Sequence, residues 1–201
     1  YYAPQGWTSD DSDAIERLKI QYGTSMCYPI SSMGSHVSVI PNHQVFRNTP
    51  LHTRANVAYF GTFGYELDLN KLSDEEISEV KQQITFMKEY RELIQFGTFY
   101  RLKSPFEGNE TVWMTVSEDK KTALVFWYRE RNVVNADFTR VRLQGLDPDL
   151  IYRNEYNETE NYGDELMNLG LLTTDCTAGE PTSEDEPCTD YESRIYVLTA
   201  K

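Results

Sequence analysis

The sequence predicts a chain of the α/β plus all-β class, in which helices and strands are mixed over residues 1–96 and strands follow over residues 97–201. Two observations predict this order. In the first part, apolar side chains recur at helical spacing in two stretches. After Gly97 they occur instead in short runs separated by turn sequences, a pattern typical of strands. The expected domain boundary therefore lies near Gly97.

The first predicted helix covers residues 14–22. Ile15, Leu18 and Tyr22 are spaced to lie on one helix face. Asp13 is a residue type that caps helix N-termini, and Gly23 is one that ends helices. Further along, three short apolar runs predict buried strands or strand-like turns, at residues 28–30, 37–40 and 57–60.

A second helix is predicted from Asp74 to Leu93. It begins with a capping box formed by Ser73 and Glu76, in which each side chain bonds the backbone N–H of the other residue. One face carries an apolar stripe, which we expect to pack in a core: Ile77, Val80, Ile84, Met87 and Ile94.

Six strand candidates follow Gly97. They are residues 99–102, 112–116, 123–128, 139–143, 151–154 and 194–198. Residues 117–121 and 145–149 have turn compositions and predict hairpins. Short strands joined at this spacing predict an antiparallel sandwich or a small barrel.

The composition indicates a folded, acidic protein. Of the 201 residues 39% are hydrophobic, and the formal net charge is -13. Lys and Arg form no cluster of the kind that nucleic-acid binding requires. No apolar run is long enough to span a membrane, and residues 1–4 read like the interior of a longer chain and not like a signal peptide. We therefore expect neither a nucleic acid nor a membrane as partner.

The cysteines and histidines do not match a metal site. The three cysteines are Cys27, Cys176 and Cys188, and the three histidines are His36, His43 and His52. The cysteines lack CxxC spacing, and histidine spacings of seven and nine match no zinc pattern. A bridge between Cys176 and Cys188 stays open, but free thiols in a reducing, cytoplasmic compartment are favoured. We expect polar loop or core histidines and no metal.

Three carboxylates, Asp10, Asp11 and Asp13, lie between an aromatic-rich segment and the first helix. Polar residues at the junction of a strand and a helix lie on the catalytic face of a (β/α)8 barrel. Capping explains Asp13, because the first helical N–H groups would bond its carboxylate. From periodicity alone, the favoured interpretation is that all three acids cap and solvate the helix.

Longer motifs change this interpretation. Residues 7–23, Trp-Thr-Ser-Asp-Asp-Ser-Asp-Ala-Ile-Glu-Arg-Leu-Lys-Ile-Gln-Tyr-Gly, resemble the acid/base segment of the α-galactosidases of glycoside hydrolase family 36. The likeness weakens only over residues 173–190. It continues through residues 33–38, 41–44, 63–69, 100–102 and 163–167.

The resemblance implies a retaining hydrolase that removes terminal α-linked galactose from oligosaccharides such as melibiose and raffinose, without metal or cofactor. Asp10 matches the family's acid/base, and Asp11 is its neighbour without an assigned role. Trp7 is a candidate to desolvate the carboxyl and to form a wall of the sugar subsite. His36, Asn42 and His43 are expected near the same face, again without assigned roles.

The family's nucleophile lies in a Lys-Trp-Asp motif on an earlier barrel strand, and no Trp-Asp pair occurs here. The resemblance therefore implies strand-helix units of a (β/α)8 barrel from its sixth strand onward over residues 1–96, followed by an antiparallel β-sandwich over residues 97–201. Such a fragment is expected to be inactive alone. Its expected partners are α-galactosides and the remainder of the barrel or other copies of the chain, and relatives often form homo-tetramers.

Two alternatives stay open. The first is a non-catalytic, β-rich module that binds carbohydrate or another subunit, which would explain the aromatic strands and the missing nucleophile. The second is a different barrel glycosidase, such as an inverting enzyme, in which the partner acid is Asp11 or Glu66.

Overall fold

The computed structural model describes residues 3–133, 138–173 and 190–201, and it divides the chain into two compact units, residues 1–96 and 97–201. Within these described ranges, no helix is long and apolar enough to cross a membrane. Cys27 is an exposed free thiol. The predictions for Cys176 and Cys188 concern residues outside the described ranges.

The first unit contains three parallel segments, each followed by a helix. Gly6 forms a parallel bridge with Met33, and strand β1 (Gly34–Ser38) pairs in parallel with strand β2 (Thr62–Glu66). The helices that follow these three segments are α1 (Ala14–Thr24), α2 (Leu51–Ala58) and α3 (Asp74–Phe96). Short 3-10 helices occur at Ile30–Ser32 and Leu69–Lys71. Because parallel strands run in one direction, the connections after them meet at the same edge of the sheet.

Helix α1 confirms the predicted N-cap. The Asp13 carboxylate accepts hydrogen bonds from the backbone N–H of Ile15 at 3.0 Å and of Glu16 at 3.1 Å. The prediction that Gly23 ends the helix was wrong, because the helix continues to Thr24 and is capped by Ser25. Ser25 donates its N–H to the carbonyl of Gln21, so the helical hydrogen bonds continue past the glycine.

The region between residues 24 and 70 differs most from its prediction. Residues 57–60 are the end of helix α2 and the turn after it, not a strand, and residues 28–30 lead into a 3-10 helix. A short apolar run does not distinguish a buried helix from a strand. Helix α2 also buries Arg54, whose guanidinium donates to the carbonyls of Thr49 at 3.0 Å and Ser38 at 2.6 Å. Strand β2 was not predicted.

Helix α3 confirms the capping box. The Ser73 N–H donates to the Glu76 carboxylate at 2.8 Å, and the Glu76 N–H donates to the Ser73 hydroxyl at 3.3 Å. The helix ends at Phe96, three residues later than predicted. Its stripe is buried at Val80, Met87 and Ile94.

The second unit is built on a six-stranded antiparallel sheet with the order β3-β4-β5-β10-β7-β8, beside a two-stranded sheet of β6 and β9. The strands are β3 (Thr98–Lys103), β4 (Glu110–Val116), β5 (Thr122–Arg129), β6 (Arg140–Val141), β7 (Ile151–Asn154), β8 (Glu160–Tyr162), β9 (Leu171–Leu172) and β10 (Glu192–Ala200). The core includes Val125, Trp127, Tyr196 and Leu166. Five of the six predicted strands are present, and residues 139–143 contain only the short strand β6.

Two predictions for the second unit were wrong in part. Residues 117–121 form the predicted hairpin between β4 and β5, but residues 145–149 connect strands of different sheets. The unit also contains a helix, α4 (Gly163–Asn168), where only strands were expected. With six residues, helix α4 is too short to show a 3.6-residue period, so periodicity did not predict it.

Candidate functional site

The connections after Gly6 and after β1 meet at the carboxyl edge of the parallel sheet. The Ser38 hydroxyl donates to the carbonyl of Ser12 at 2.9 Å, and the Asn42 amide donates to the Ser12 hydroxyl at 3.4 Å. All three residues are buried. The predicted position of Asn42 near the acidic segment is thereby observed, whereas His43 is exposed on the same connection.

The structure distinguishes the three acids of the segment. Asp13 is 2% exposed, caps α1 and forms an ion pair with Arg47. Burial raises the pKa of Asp13, against the opposing effects of the helix N–H groups and Arg47. The Asp11 carboxylate, which is half-buried, accepts the Asp13 N–H at 2.9 Å. Two of the three carboxylates are therefore committed to local backbone structure.

Asp10 is different. Its side chain is exposed, and its carboxyl makes no hydrogen bond or ion pair with any residue in the described ranges. The preceding residue is fixed, because the carbonyl of Ser9 accepts from Arg17 at 3.4 Å and the Ser9 hydroxyl accepts the Asp11 N–H at 3.1 Å. Asp10 therefore presents an uncommitted carboxyl on a supported backbone.

Arg17 lies beneath this segment and is only 3% exposed. Its guanidinium donates to the carbonyl of Gly34 at 2.5 Å and so ties the segment to strand β1. Burial lowers the pKa of Arg17 to about 10, while the negative charges of Asp11 and Glu66 favour the cation. The guanidinium therefore remains charged at neutral pH and supplies positive charge below the acids.

Gln21 connects the same helix to both neighbouring elements. Its amide nitrogen donates to the carbonyls of Val57 at 3.0 Å and Phe60 at 2.8 Å. Its amide oxygen accepts from Arg17 at 3.1 Å and from the Ser35 hydroxyl at 2.8 Å. The side chain is fully buried and all four of these bonds are internal.

Trp7 is 43% exposed and rests on strand β1. Its ring stacks on the ring of His36, with centroids 4.4 Å apart and planes 27° apart. It also covers Gly34, where an added Cβ would lie 2.9 Å from the indole. Burial lowers the pKa of His36, so this imidazole is neutral at neutral pH.

The described residues contain no group of three or more His, Cys, Asp or Glu side chains that could hold a metal ion. His36 is half-buried in β1, while His43 and His52 are exposed. Glu66 is exposed at the carboxyl end of β2.

Sequence reasoning did not identify Arg17, Gln21 or Arg47 as parts of the site. For the first two a signal exists in the sequence. They are four residues apart on the face of α1 that also buries Ile15 and Leu18, and a polar pair on an apolar helix face indicates buried hydrogen bonding. No comparable local signal exists for Arg47, whose partners Asp13 and Glu16 lie on a distant element.

Two family models match the chain. Residues 1–97 match the model described as Melibiase, and residues 110–198 match the model described as Glycosyl hydrolase family 36 C-terminal domain.

Several known proteins are similar to the chain. Alpha-galactosidase AgaA of Geobacillus stearothermophilus is 56% identical over 171 residues, which are 85% of this chain and 23% of the relative. Alpha-galactosidase 1 of Pediococcus pentosaceus is 48% identical over 200 residues, 100% of this chain and 26% of the relative. The crystal structure of AgaA matches with a TM-score of 0.91 and 50% identity, over 100% of this chain and 26% of AgaA. Variants of AgaA have been solved in complex with stachyose and with raffinose. The chain thus spans about a quarter of the length of these relatives.

Proposed function

This chain belongs to glycoside hydrolase family 36, and from that premise we propose that it carries the acid/base side of the active site of a retaining α-galactosidase. Since it spans 23% to 26% of the length of the cited relatives, we assign the activity to a longer enzyme, called here the full enzyme, of which this chain forms the C-terminal quarter. The substrates are terminal α-galactosides of the raffinose and stachyose type.

One observation carries this proposal. Of the three acids in the segment, Asp10 alone has a carboxyl that neither caps a helix nor accepts a backbone N–H. It follows a parallel segment at the edge where the connections of such sheets converge. A general acid needs a carboxyl that is held in place by its backbone and still able to reach the substrate.

In the proposed mechanism, Asp10 donates a proton to the glycosidic oxygen as the bond to galactose breaks. A nucleophilic carboxylate on the opposite face of the sugar, about 5 to 5.5 Å from the acid, forms a glycosyl-enzyme intermediate. Asp10 then removes a proton from the water that hydrolyses this intermediate. The sequence has no Trp-Asp pair, so we assign the nucleophile to the remainder of the full enzyme.

The proposed architecture follows the same division. We propose that residues 1–96 are the last strand-helix units of a (β/α)8 barrel and that residues 97–201 are a β-sandwich domain. Three parallel segments, each followed by a helix, support the first part, and the antiparallel sheets of the second unit support the other. We also propose that the remainder of the barrel pairs with this unit, and that the enzyme is a cytoplasmic homo-oligomer.

The test is Asp10→Asn in the full enzyme, with raffinose and a nitrophenyl α-galactoside as substrates. Loss of the general acid should lower kcat on raffinose by about 10²- to 10⁴-fold. For the nitrophenyl substrate, the rate of the first step should fall less, because its leaving group needs no proton. Azide, a nucleophile that needs no general base, should restore turnover of that substrate.

A matched control is Asp74→Asn, in the exposed first turn of α3, which should leave both activities within about twofold. Activity of Asp10→Asn equal to that of the control would refute the assignment. Collapse on Asp11→Asn or Glu66→Gln instead would favour the inverting alternative.

The carbohydrate-module alternative has a possible site in the second unit. A cavity of about 530 Å³ there is lined by Lys103, Glu110 and Arg129 among others. Lys103 pairs with Glu110, and Arg129 pairs with Glu192, so these charges already have partners. Trp113 and Trp127 are at most 1% exposed and belong to the core, so neither presents a ring to a carbohydrate. The catalytic role therefore explains more of the structure.

A further inference from the structure

To form one side of the sugar subsite, the indole ring of Trp7 must be held in a fixed orientation. An indole on an exposed connection has two rotatable side-chain bonds, and a sugar binds better to a surface that is already ordered. The described contacts of the Trp7 ring are with the imidazole of His36, at 4.4 Å between centroids, and with the bare backbone of Gly34. The orientation of the indole is thus set from below by strand β1.

The position of His36 depends in turn on Gly64. The two residues are direct partners in the parallel pairing of β1 and β2. A Cβ added at Gly64 would lie 2.5 Å from Cδ2 and 2.8 Å from Nε2 of the imidazole, closer than such contacts occur. The φ of Gly64 lies outside the left-handed region. Glycine therefore serves here to make room for the imidazole and not to permit an unusual backbone.

The ring nitrogens of His36 do not explain its presence. Nδ1 is buried and has no hydrogen-bond partner among the described residues. Such a group is costly in a folded protein and calls for an explanation. Stacking provides one, because the imidazole contacts the indole of Trp7 and occupies the space that a Cβ at Gly64 would fill.

We propose that His36 is a positioning residue for galactose binding: seated on Gly64, it holds the indole of Trp7 against the sugar subsite beside Asp10. The inference rests on the proposed function, in which Trp7 forms a wall of that subsite. Gly64 then contributes to substrate affinity from the neighbouring strand, without contacting the sugar.

The test uses a double-mutant cycle in the full enzyme. Gly64→Ala, His36→Ala and the double variant are made in the Asp10→Asn background, and their dissociation constants for galactose are measured by calorimetry. Turnover is not needed for this readout, so the acid/base assignment does not affect it. The control is Gly23→Ala, where an added Cβ has nothing within 4 Å.

Each single variant should weaken galactose binding about tenfold, equivalent to about 1.4 kcal/mol. Gly64→Ala should add less than about twofold in the His36→Ala background, because both changes act on one stack. In the background with Asp10 intact, KM for raffinose should rise while kcat stays within about threefold, as expected for loss of binding shared by ground and transition states.

Unchanged galactose binding in Gly64→Ala, or an undiminished effect of it when His36 is absent, would overturn the inference. If Gly64→Ala fails to fold, His36→Ala decides alone, and unchanged binding refutes the positioning role. Trp7→Ala tests separately whether Trp7 contacts galactose. Unchanged galactose binding in this variant would refute that contact and with it this inference. Weakened binding in Trp7→Ala with none in His36→Ala would refute the inference alone.

Discussion

Replacing Gln21 with Leu should destabilise the first unit strongly, although the two side chains are similar in size. The amide is fully buried and exchanges hydrogen bonds with two carbonyls, one hydroxyl and one guanidinium. Leu can make none of them. The four partners would remain in the interior, and each would lose a bond that water cannot replace.

The size of the effect follows from these four bonds. A buried hydrogen bond contributes about 0.5 to 1.5 kcal/mol net, and one to a charged group about 1.5 to 3 kcal/mol. Three neutral bonds and one to Arg17 therefore sum to about 3 to 7.5 kcal/mol. The greater apolar burial of Leu offsets about 1.5 to 3 kcal/mol. A net loss of about 3 kcal/mol should lower the thermal midpoint of the full enzyme, which is about four times as long as this chain, by roughly 2 °C.

The assay is differential scanning fluorimetry of the full enzyme, with Gln82→Leu as control. Gln82 is exposed on α3, so the same substitution removes no described hydrogen bond there. The control should shift the midpoint by no more than about 0.5 °C, since surface changes are worth about 0.5 kcal/mol. A shift for Gln21→Leu equal to that of the control would refute the role of the four bonds.

Four further predictions follow. Asp13→Ala should cost about 0.5 to 2 kcal/mol of stability because the cap of α1 is lost, whereas Asp13→Asn retains an acceptor and should cost less; thermal midpoints compare them. Gly163→Ala should destabilise the second unit, because its Cβ would collide with the carbonyl of Asp147, while Gly108→Ala has open space and should be tolerated in the same assay. The pKa of His36 is lowered in the folded state, so the unfolded chain binds more protons between that value and the ordinary 6.5, and the thermal midpoint should rise with pH across this window; His36→Ala should flatten that rise. The 201-residue chain alone should not hydrolyse a nitrophenyl α-galactoside, because the proposed nucleophile is not in it.

Four results would contradict these predictions. Equal midpoints for the two Asp13 variants would show that the carboxylate cap contributes nothing beyond its ion pair. Unfolding of Gly108→Ala at the same temperature as Gly163→Ala would remove the steric argument. An unchanged pH slope in His36→Ala would assign the titration to another group, and turnover by the chain alone would place both carboxylates within it.

Features that depend on residues close in sequence were predictable, and features that depend on tertiary contacts were not. Both helix caps, at Asp13 and at Ser73 with Glu76, depend on residues within three positions of each other, and both were predicted. Helix α2 was not, because its buried face carries the polar residues Thr53 and Arg54, and Arg54 is stabilised by the distant carbonyl of Ser38. Strand β2 was missed because Gly64 interrupts its apolar pattern, and that glycine is explained only by the ring across from it.

The candidate site shows the same division. Motif likeness selected Asp10, Asp11 and Trp7, but periodicity gave all three acids of the segment one role. The Asp13 cap was predicted, but only the structure shows that Asp11 also accepts a backbone N–H while Asp10 accepts none. The spacing of Arg17 and Gln21 indicates buried hydrogen bonding on helix α1, but it does not identify the neighbouring elements that accept those bonds.

Arg17 and Gln21 bind their neighbours largely through peptide oxygens, those of Ser9, Gly34, Val57 and Phe60. Every amino acid supplies such an oxygen, so these contacts place no demand on the identity of the side chain at the accepting position. In aligned relatives, the two donors should therefore stay constant while their partners vary, and no paired substitutions should reveal the contact. At these four accepting positions, the requirement for a particular side chain therefore falls on helix α1 and not on its partners.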